Sequence, residues 1–164
     1  MRYNIIRQSD ISNGPGIRVS IFIQGCSHHC KGCFNPETWD FNSGKEFTDD
    51  TINTLIRLSD KPQIAGLSIL GGEPLEKANY ETIKRLTKTY SDYFNQEKTI
   101  WLWSGYKYDE IEDKSIFDNI DVLVDGEFIE KLADPTLAYR GSSNQVIHQF
   151  SKKGAHLDWD NLYK

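Results

Sequence analysis

All three cysteines of the chain lie within eight residues, at Cys26, Cys30 and Cys33, with the spacing C-x3-C-x2-C. An odd number of cysteines crowded into one loop argues against a disulfide framework. Three thiolates on one short loop can hold a metal centre without enclosing it. A 4Fe–4S cube has four irons that each take an outside ligand, so three cysteines leave one iron open to bind and activate another molecule.

A structural zinc site is the alternative for this loop, with His28 or His29 as the fourth ligand. Structural zinc motifs usually pair two short ligand hooks, and the sequence has no second hook. A histidine between two bonded cysteines is also poorly placed to reach the same ion. The spacing therefore favours a cluster with an open iron, and it predicts that the two histidines are polar neighbours of the cluster rather than ligands.

Four apolar segments predict the main strands of an α/β fold, at residues 17–23, 64–70, 99–103 and 120–124. Between and after them, helices are predicted over 48–60, 75–95 and 107–118, and a last short strand over 146–150. Strands that alternate with helices predict a mostly parallel sheet with right-handed crossovers. About five strands are too few for a closed eight-stranded barrel, so we expect an open, partial (β/α) barrel.

Several local features refine this prediction. Residues 12–16 (Ser-Asn-Gly-Pro-Gly) predict a hairpin turn before the first main strand, and Thr48 is the expected N-cap of the first helix. The apolar residues of the second helix, and Ile111 and Phe117 of the third, are expected to face the core. The chain is expected to form a single domain over residues 1–164, with a tail from about residue 150 that packs back or stays loose.

Polar residues and glycines follow the carboxyl end of each predicted main strand. The cysteine loop follows the first strand, Gly71-Gly72-Glu73 the second, Ser104 the third and Asp125 the fourth. Active sites of α/β folds gather at this edge, so the four segments are expected to converge on one site. Taken alone, the Gly-Gly-Glu segment is equally compatible with a strand-to-helix turn that carries a solvated glutamate.

Charge and hydropathy exclude some classes of partner. The net charge is −5, from 19 basic and 24 acidic side chains, so nucleic acid is not an expected partner. No apolar run approaches the roughly 18–20 residues that span a bilayer. The first residues lack the apolar stretch and cleavage site of a signal peptide, which predicts a cytoplasmic protein.

The cysteine motif at the end of one strand, with Gly-Gly-Glu-Pro at the end of the next, resembles the radical S-adenosylmethionine superfamily. More narrowly, the chain resembles the activating proteins of anaerobic (class III) ribonucleotide reductases. That resemblance rests on residues 13–16 (Asn-Gly-Pro-Gly), 25–35, 38–39 (Thr-Trp), 125–126 (Asp-Gly) and 141–145 (Gly-Ser-Ser-Asn-Gln). The resemblance extends from about residue 4 to residue 150.

The resemblance implies that Cys26, Cys30 and Cys33 hold a 4Fe–4S cluster whose open iron is chelated by the amino and carboxylate groups of S-adenosylmethionine. An external one-electron donor, by family analogy a reduced flavodoxin, reduces the cluster. Electron transfer into the sulfonium gives methionine and a 5′-deoxyadenosyl radical. That radical removes a hydrogen atom from a glycine near the C-terminus of the large reductase subunit, and the stored glycyl radical starts deoxyribonucleotide synthesis in that partner.

The resemblance also implies contacts with the amino-acid part of S-adenosylmethionine. Gly71, Gly72 and Glu73 match the segment that receives the methionine ammonium, for which backbone carbonyls and a carboxylate are suitable acceptors. Ser104 and Asp125 are candidates for the ribose or carboxylate end. A bare Asp125 would repel that carboxylate, so a bound cation is expected beside it. No catalytic residue is predicted beyond the cluster site.

On the adenine side, the expected contacts are Gly32 and Phe34, which flank Cys33. Many superfamily members have an aromatic residue just before the third cysteine, whereas this chain has Gly32 there and Phe34 just after. For residues 141–145, a structural role is favoured slightly over cofactor binding or docking of the reductase.

Two other functions remain open from the sequence. One is another small radical enzyme, either an activase of the pyruvate formate-lyase type or a small-molecule tailoring enzyme, and residues 141–145 argue against both. The other is a zinc-stabilised binding module without catalysis. A homodimer is compatible with the sequence.

Overall fold

The computed structural model describes residues 1–150, and within them the strands form one seven-stranded sheet. The strand order across the sheet is β3-β1-β2-β4-β5-β6-β7. The strands are β1 (Arg2–Asp10), β2 (Ile17–Gln24), β3 (Lys45–Glu46), β4 (Ile64–Gly71), β5 (Thr99–Ser104), β6 (Val122–Asp125) and β7 (Val146–Gln149).

The sheet is parallel at its centre and antiparallel at both edges. β2, β4, β5 and β6 pair in parallel, whereas β1 and β3 on one side and β7 on the other pair antiparallel. The four predicted main strands correspond to β2, β4, β5 and β6, so the α/β prediction is confirmed. The predicted hairpin turn over residues 12–16 joins β1 to β2. The sequence prediction missed β1, because its residues are largely polar and half-exposed and show no apolar alternation.

Two α-helices, α1 (Asp49–Ser59) and α2 (Lys77–Tyr93), are present in the described part of the chain. As predicted, Thr48 is the N-cap of α1, and its backbone N–H donates to the Thr51 hydroxyl at 3.0 Å. Ile83, Leu86 and Tyr90 of α2 are fully buried, as their spacing predicts. No helix within residues 1–150 has the length and apolar content needed to cross a membrane.

The predicted helix over residues 107–118 is wrong. The chain forms two short 3₁₀ helices there, Tyr108–Glu110 and Lys114–Asn119, although Ile111 and Phe117 are buried as predicted. The Asp113 carboxylate accepts hydrogen bonds from the backbone N–H and the hydroxyl of Ser115, which starts a new turn. An aspartate that binds a nearby backbone N–H competes with the continuous α-helical pattern.

At the end of the described chain, Phe150 takes the packed one of the two arrangements predicted for the tail. The last strand ends at Gln149, and Phe150 packs against the core, with its ring 4.8 Å from that of Phe117. Phe150 is therefore not the start of a loose tail. The prediction for the rest of the tail lies outside the described residues.

The two faces of the sheet have different environments. Val19, Ile21 and Ile23 of β2 pack with the buried residues of α1 and α2 in the main core cluster, together with alternate residues of β4 and β5. Side chains of the opposite face, including Phe22, Leu70 and Trp103, line an open cleft. Because strand side chains alternate between faces, this arrangement leaves the second face available for ligands.

Candidate functional site

A cleft of about 710 Å³ opens over the face of the sheet that the helices leave uncovered. Phe22, Leu70 and Trp103 contribute to its apolar lining. Most of the predicted site residues meet here. Those that line the cleft are Cys26, Cys30, Cys33, Phe34, Gly71, Gly72, Glu73 and Ser104.

The cysteine loop leaves β2 through Gly25, whose φ of +100° is a backbone conformation that favours glycine. Backbone hydrogen bonds from Gly25 to the Thr38 carbonyl (2.7 Å) and from Cys26 to the Trp39 carbonyl (3.1 Å) fix the base of the loop. All three cysteines are free thiols. Burial raises the pKa of Cys26 to about 11 and also raises that of Cys30. Metal binding by this loop therefore has to release thiol protons.

The donors of this loop suit an iron–sulfur cluster. Within residues 1–150, no three His, Cys, Asp or Glu side chains are arranged as ligands of a single metal ion. A 4Fe–4S cube makes a different demand, since each thiolate binds a different iron and the sulfurs need not converge on one point. Three free thiols along one cleft meet that demand.

Glu73 is fully buried at the end of β4, with 0% of its surface exposed, so the alternative interpretation of a solvated glutamate is wrong. One carboxylate oxygen accepts hydrogen bonds from the Leu75 N–H and the Ser104 hydroxyl, both at 2.8 Å. The other accepts from the Gly105 N–H at 2.6 Å and faces His28 Nε2 at 2.9 Å. A carboxylate has about four acceptor sites, so all of them are occupied.

His28 bridges two carboxylates, because its Nδ1 atom also lies 2.8 Å from Glu127. Hydrogen bonding to Glu73 raises the pKa of His28 to about 9, against the opposing effect of burial. At neutral pH the ring is therefore charged, and both of its nitrogens donate. The sequence does not reveal this role, since the two glutamates lie 45 and 99 residues away along the chain.

Gly71 and Gly72 let the end of β4 pack closely against the cysteine loop. Gly71 has a φ of +114°. A Cβ atom on Gly72 would lie 2.6 Å from the Gly25 carbonyl oxygen and 2.8 Å from that of Thr38. The space that a side chain on Gly72 would need is thus occupied by the backbone of the chain itself.

Aromatic side chains form the rim beyond Cys33. The Phe34 ring is 72% exposed and lies 5.0 Å from the ring of Phe128. Gly32, with a φ of +78°, lies beside Glu130 and does not line the cleft. Sequence reasoning gave no site role to Trp39, which lines the cleft and stacks on His29 with ring centroids 4.4 Å apart.

Ser104 and Asp125 differ in position although they pair across adjacent strands. Ser104 donates to Glu73 and so fixes its orientation. Asp125 is buried outside the cleft lining, where one of its oxygens accepts from the Tyr108 N–H at 2.7 Å and lies 2.9 Å from His148 Nε2. The structure therefore does not bring Asp125 to the cleft.

Residues 141–145 bind the loop that follows β6. The Gln145 side-chain oxygen accepts from the N–H groups of Gly141 and Ser142, and its amide nitrogen donates to the Gly126 carbonyl at 2.9 Å. The Asn144 amide donates to the Glu127 carbonyl at 2.8 Å. These contacts support the structural role favoured for this segment, which also forms part of the cleft wall.

Comparisons with known proteins give a consistent result. Residues 12–148 match the family model described as a 4Fe-4S single cluster domain. The anaerobic ribonucleoside-triphosphate reductase-activating protein of Vibrio cholerae is 41% identical over 155 residues, which cover 92% of this chain and 99% of that protein. Proteins of the same name from Escherichia coli K12 and Enterobacteria phage T4 are 44% and 41% identical, and each match covers 90% of this chain and 98% or 93% of the relative.

Proposed function

The chain belongs to the family of anaerobic ribonucleoside-triphosphate reductase-activating proteins, and on that premise we propose that it cleaves S-adenosylmethionine at a 4Fe–4S cluster and places a glycyl radical on an anaerobic ribonucleotide reductase. The observation that carries this proposal is the position of three free thiols on the same cleft as Gly71, Gly72 and Glu73. A cluster ligand set and an acceptor for an ammonium group are thereby adjacent.

In this proposal Cys26, Cys30 and Cys33 hold the cluster. When bound, the cluster supplies the electron that cleaves S-adenosylmethionine into methionine and a 5′-deoxyadenosyl radical. The residues of the chain bind and shield the reactants. The apolar lining from Phe22, Leu70 and Trp103 limits access of water to this end of the sheet.

The amino-acid end of S-adenosylmethionine is assigned to the end of β4. Glu73 and the carbonyl groups of Gly71 and Gly72 receive the methionine ammonium, and Ser104 positions the Glu73 carboxylate through its 2.8 Å hydrogen bond. Phe34 and Gly32 are assigned to the adenine side. Asp125 remains a prediction for the ribose or carboxylate end, and from its buried position it acts on that end only through its neighbours.

The partners follow from the family. The protein substrate is the large subunit of the anaerobic ribonucleotide reductase, the electron donor is a reduced flavodoxin or a similar protein, and the reaction takes place in the cytoplasm. A homodimer is part of the proposal, and sedimentation of the loaded protein tests it. The parallel strands β2, β4, β5 and β6 support an open, partial barrel within a single domain.

Anaerobic reconstitution with iron and sulfide tests the cofactor chemistry. After reduction, we expect a 4Fe–4S EPR signal that changes when S-adenosylmethionine is added, because the ligand then occupies the open iron. Zinc retained without inorganic sulfide would instead make the loop a structural clip and contradict the proposal.

A further inference from the structure

Of the four groups that occupy the acceptor sites of Glu73, three belong to the rigid frame of the site. The N–H groups of Leu75 and Gly105 are backbone donors. The Ser104 hydroxyl is buried at the end of β5, where it also accepts a hydrogen bond from the Tyr106 N–H at 3.0 Å. The fourth is the His28 ring, a side chain on the cysteine loop. A ring carried by rotatable bonds can leave without any change in the backbone, whereas the backbone donors cannot.

The His28 ring fills space that a glycine leaves open. A Cβ atom on Gly105 would lie 2.7 Å from the ring, and the ring of Tyr106 lies 4.6 Å away, centroid to centroid. The second partner of the ring, Glu127, is 55% exposed and is therefore held less firmly than Glu73. The ring thus places an N–H group against a buried carboxylate, in a space bordered by glycine.

We propose that His28 is a displaceable placeholder for the amino group of S-adenosylmethionine at Glu73. The inference rests on the proposed function, in which Glu73 receives the methionine ammonium. An amino group that is protonated or bound to iron has no free lone pair and only donates, so it makes the same demand on the carboxylate as the ring N–H does. Because the acceptor sites of Glu73 are full, the ammonium binds there only when the ring leaves.

The cysteine loop does not depend on His28 alone for its position. The backbone N–H of Ser27 donates to the Glu76 carboxylate at 2.7 Å, and its hydroxyl donates to the same oxygen. This second tie holds the loop to the start of α2 after the ring has moved. Departure of the ring therefore releases the contact between the cysteine loop and Glu127 and leaves the base of the loop in place.

Ligand binding to the cluster-loaded protein tests the placeholder, with dissociation constants measured by anaerobic calorimetry. In His28→Ala, the dissociation constant of S-adenosylmethionine should fall about tenfold, since one charge-assisted hydrogen bond no longer competes. 5′-Methylthioadenosine, which keeps the nucleoside and sulfur but has no amino group, should bind as it does to the unsubstituted protein. The matched control is His29→Ala, because that ring stacks on Trp39 and should not alter either constant.

Unchanged binding of S-adenosylmethionine by His28→Ala would overturn the inference, since the ring would then not compete with the ligand. Weaker binding would also overturn it, since the ring would then contact the bound ligand. His28→Gln is the second variant if the alanine variant loads its cluster poorly. Failure of both variants to load would also overturn the inference, since the ring would then be needed to hold the loop. Absence of S-adenosylmethionine binding by the unsubstituted protein as well would contradict the proposed function itself.

Discussion

The guanidinium of Arg18 reaches across β4 to Thr99, where it donates to the carbonyl oxygen at 2.8 Å and to the hydroxyl at 2.9 Å. Arg18 is fully buried, and it also donates to Ser68 and to the carbonyl groups of Leu67 and Pro15. One side chain therefore connects β2, β4 and β5 with the turn over residues 12–16. It accounts for the packing of that turn against the parallel centre of the sheet.

Arg18→Met should lower the free energy of unfolding by about 3 kcal/mol or more, because it leaves several buried acceptors without a donor. Urea titration under anaerobic conditions measures the change. Arg85→Met is the matched control, since Arg85 makes an exposed ion pair with Asp49 that contributes little. Equal urea midpoints of unfolding for the Arg18→Met and Arg85→Met variants would contradict the structural role of Arg18.

Asp10 should contribute to stability in a pH-dependent way. Burial alone would raise the pKa of Asp10, but hydrogen bonds from Asn13, Ser20 and Ser12 outweigh it and lower that pKa below its usual 3.8. The contribution is therefore complete above this value and is lost as the pH falls through the lower pKa of the folded state. Asp10→Asn should cost about 1–2 kcal/mol at pH 7, and this deficit should shrink below about pH 4. A deficit that stays constant across acid titration would argue against the carboxylate as its source.

Alanine at Cys26, Cys30 or Cys33 should abolish cleavage of S-adenosylmethionine, because in the proposed site each thiolate binds a separate iron of the cluster. Iron and sulfide content and release of methionine measure the loss. Lys31 lies in the same loop, and its side chain is 92% exposed. Lys31→Ala should therefore retain both the iron and sulfide content and the release of methionine. Full activity in any one of the three cysteine variants would remove that residue from the ligand set.

Gly72→Ala should separate the end of β4 from the cysteine loop, since its Cβ would lie too close to the Gly25 and Thr38 carbonyl oxygens. We expect loss of S-adenosylmethionine binding, measured on the cluster-loaded protein. Gly126→Ala provides a comparison at a glycine where a Cβ would make only ordinary contacts, the nearest at 3.6 Å, so that the φ of +98° is the only source of strain. Wild-type affinity in the first variant would show that the close approach is not required.

Gln145→Ala should loosen the loop after β6. Its side chain accepts two hydrogen bonds from the N–H groups of residues 141–142 and donates one to the Gly126 carbonyl, and the variant loses all three. We expect faster hydrogen exchange over residues 126–129 and 141–145. Ser143→Ala, on an exposed residue of the same segment, should leave exchange unchanged. Equal protection in both variants would mean that Gln145 does not hold the segment.

The sequence predicted the elements whose signals are local. The apolar runs of β2, β4, β5 and β6, the cap at Thr48 and the cysteine spacing are all read within a few residues. It failed where distant or competing contacts decide the structure. Asp113 interrupts the predicted third helix, and β1 carries no apolar pattern because it lies near the edge of the sheet.

In the candidate site, too, some features could be predicted from the sequence and others depend on distant contacts. Convergence of Gly71, Gly72, Glu73 and Ser104 with the cysteines follows from strand order, since parallel strands end at one edge. The position of Asp125 outside the cleft depends on Tyr108 and His148, which no local pattern connects to it. The pairing of His28 with Glu73 likewise appears only when the folded chain brings the two residues together.

The most direct test of the central claim is EPR of an anaerobic ribonucleotide reductase after incubation with the reduced, cluster-loaded protein and S-adenosylmethionine. The account predicts a glycyl-radical doublet that requires both S-adenosylmethionine and the intact cysteine motif, and that is absent with Cys30→Ala. Cleavage of S-adenosylmethionine without any radical on the reductase would contradict it, and would assign the chain to a different radical reaction.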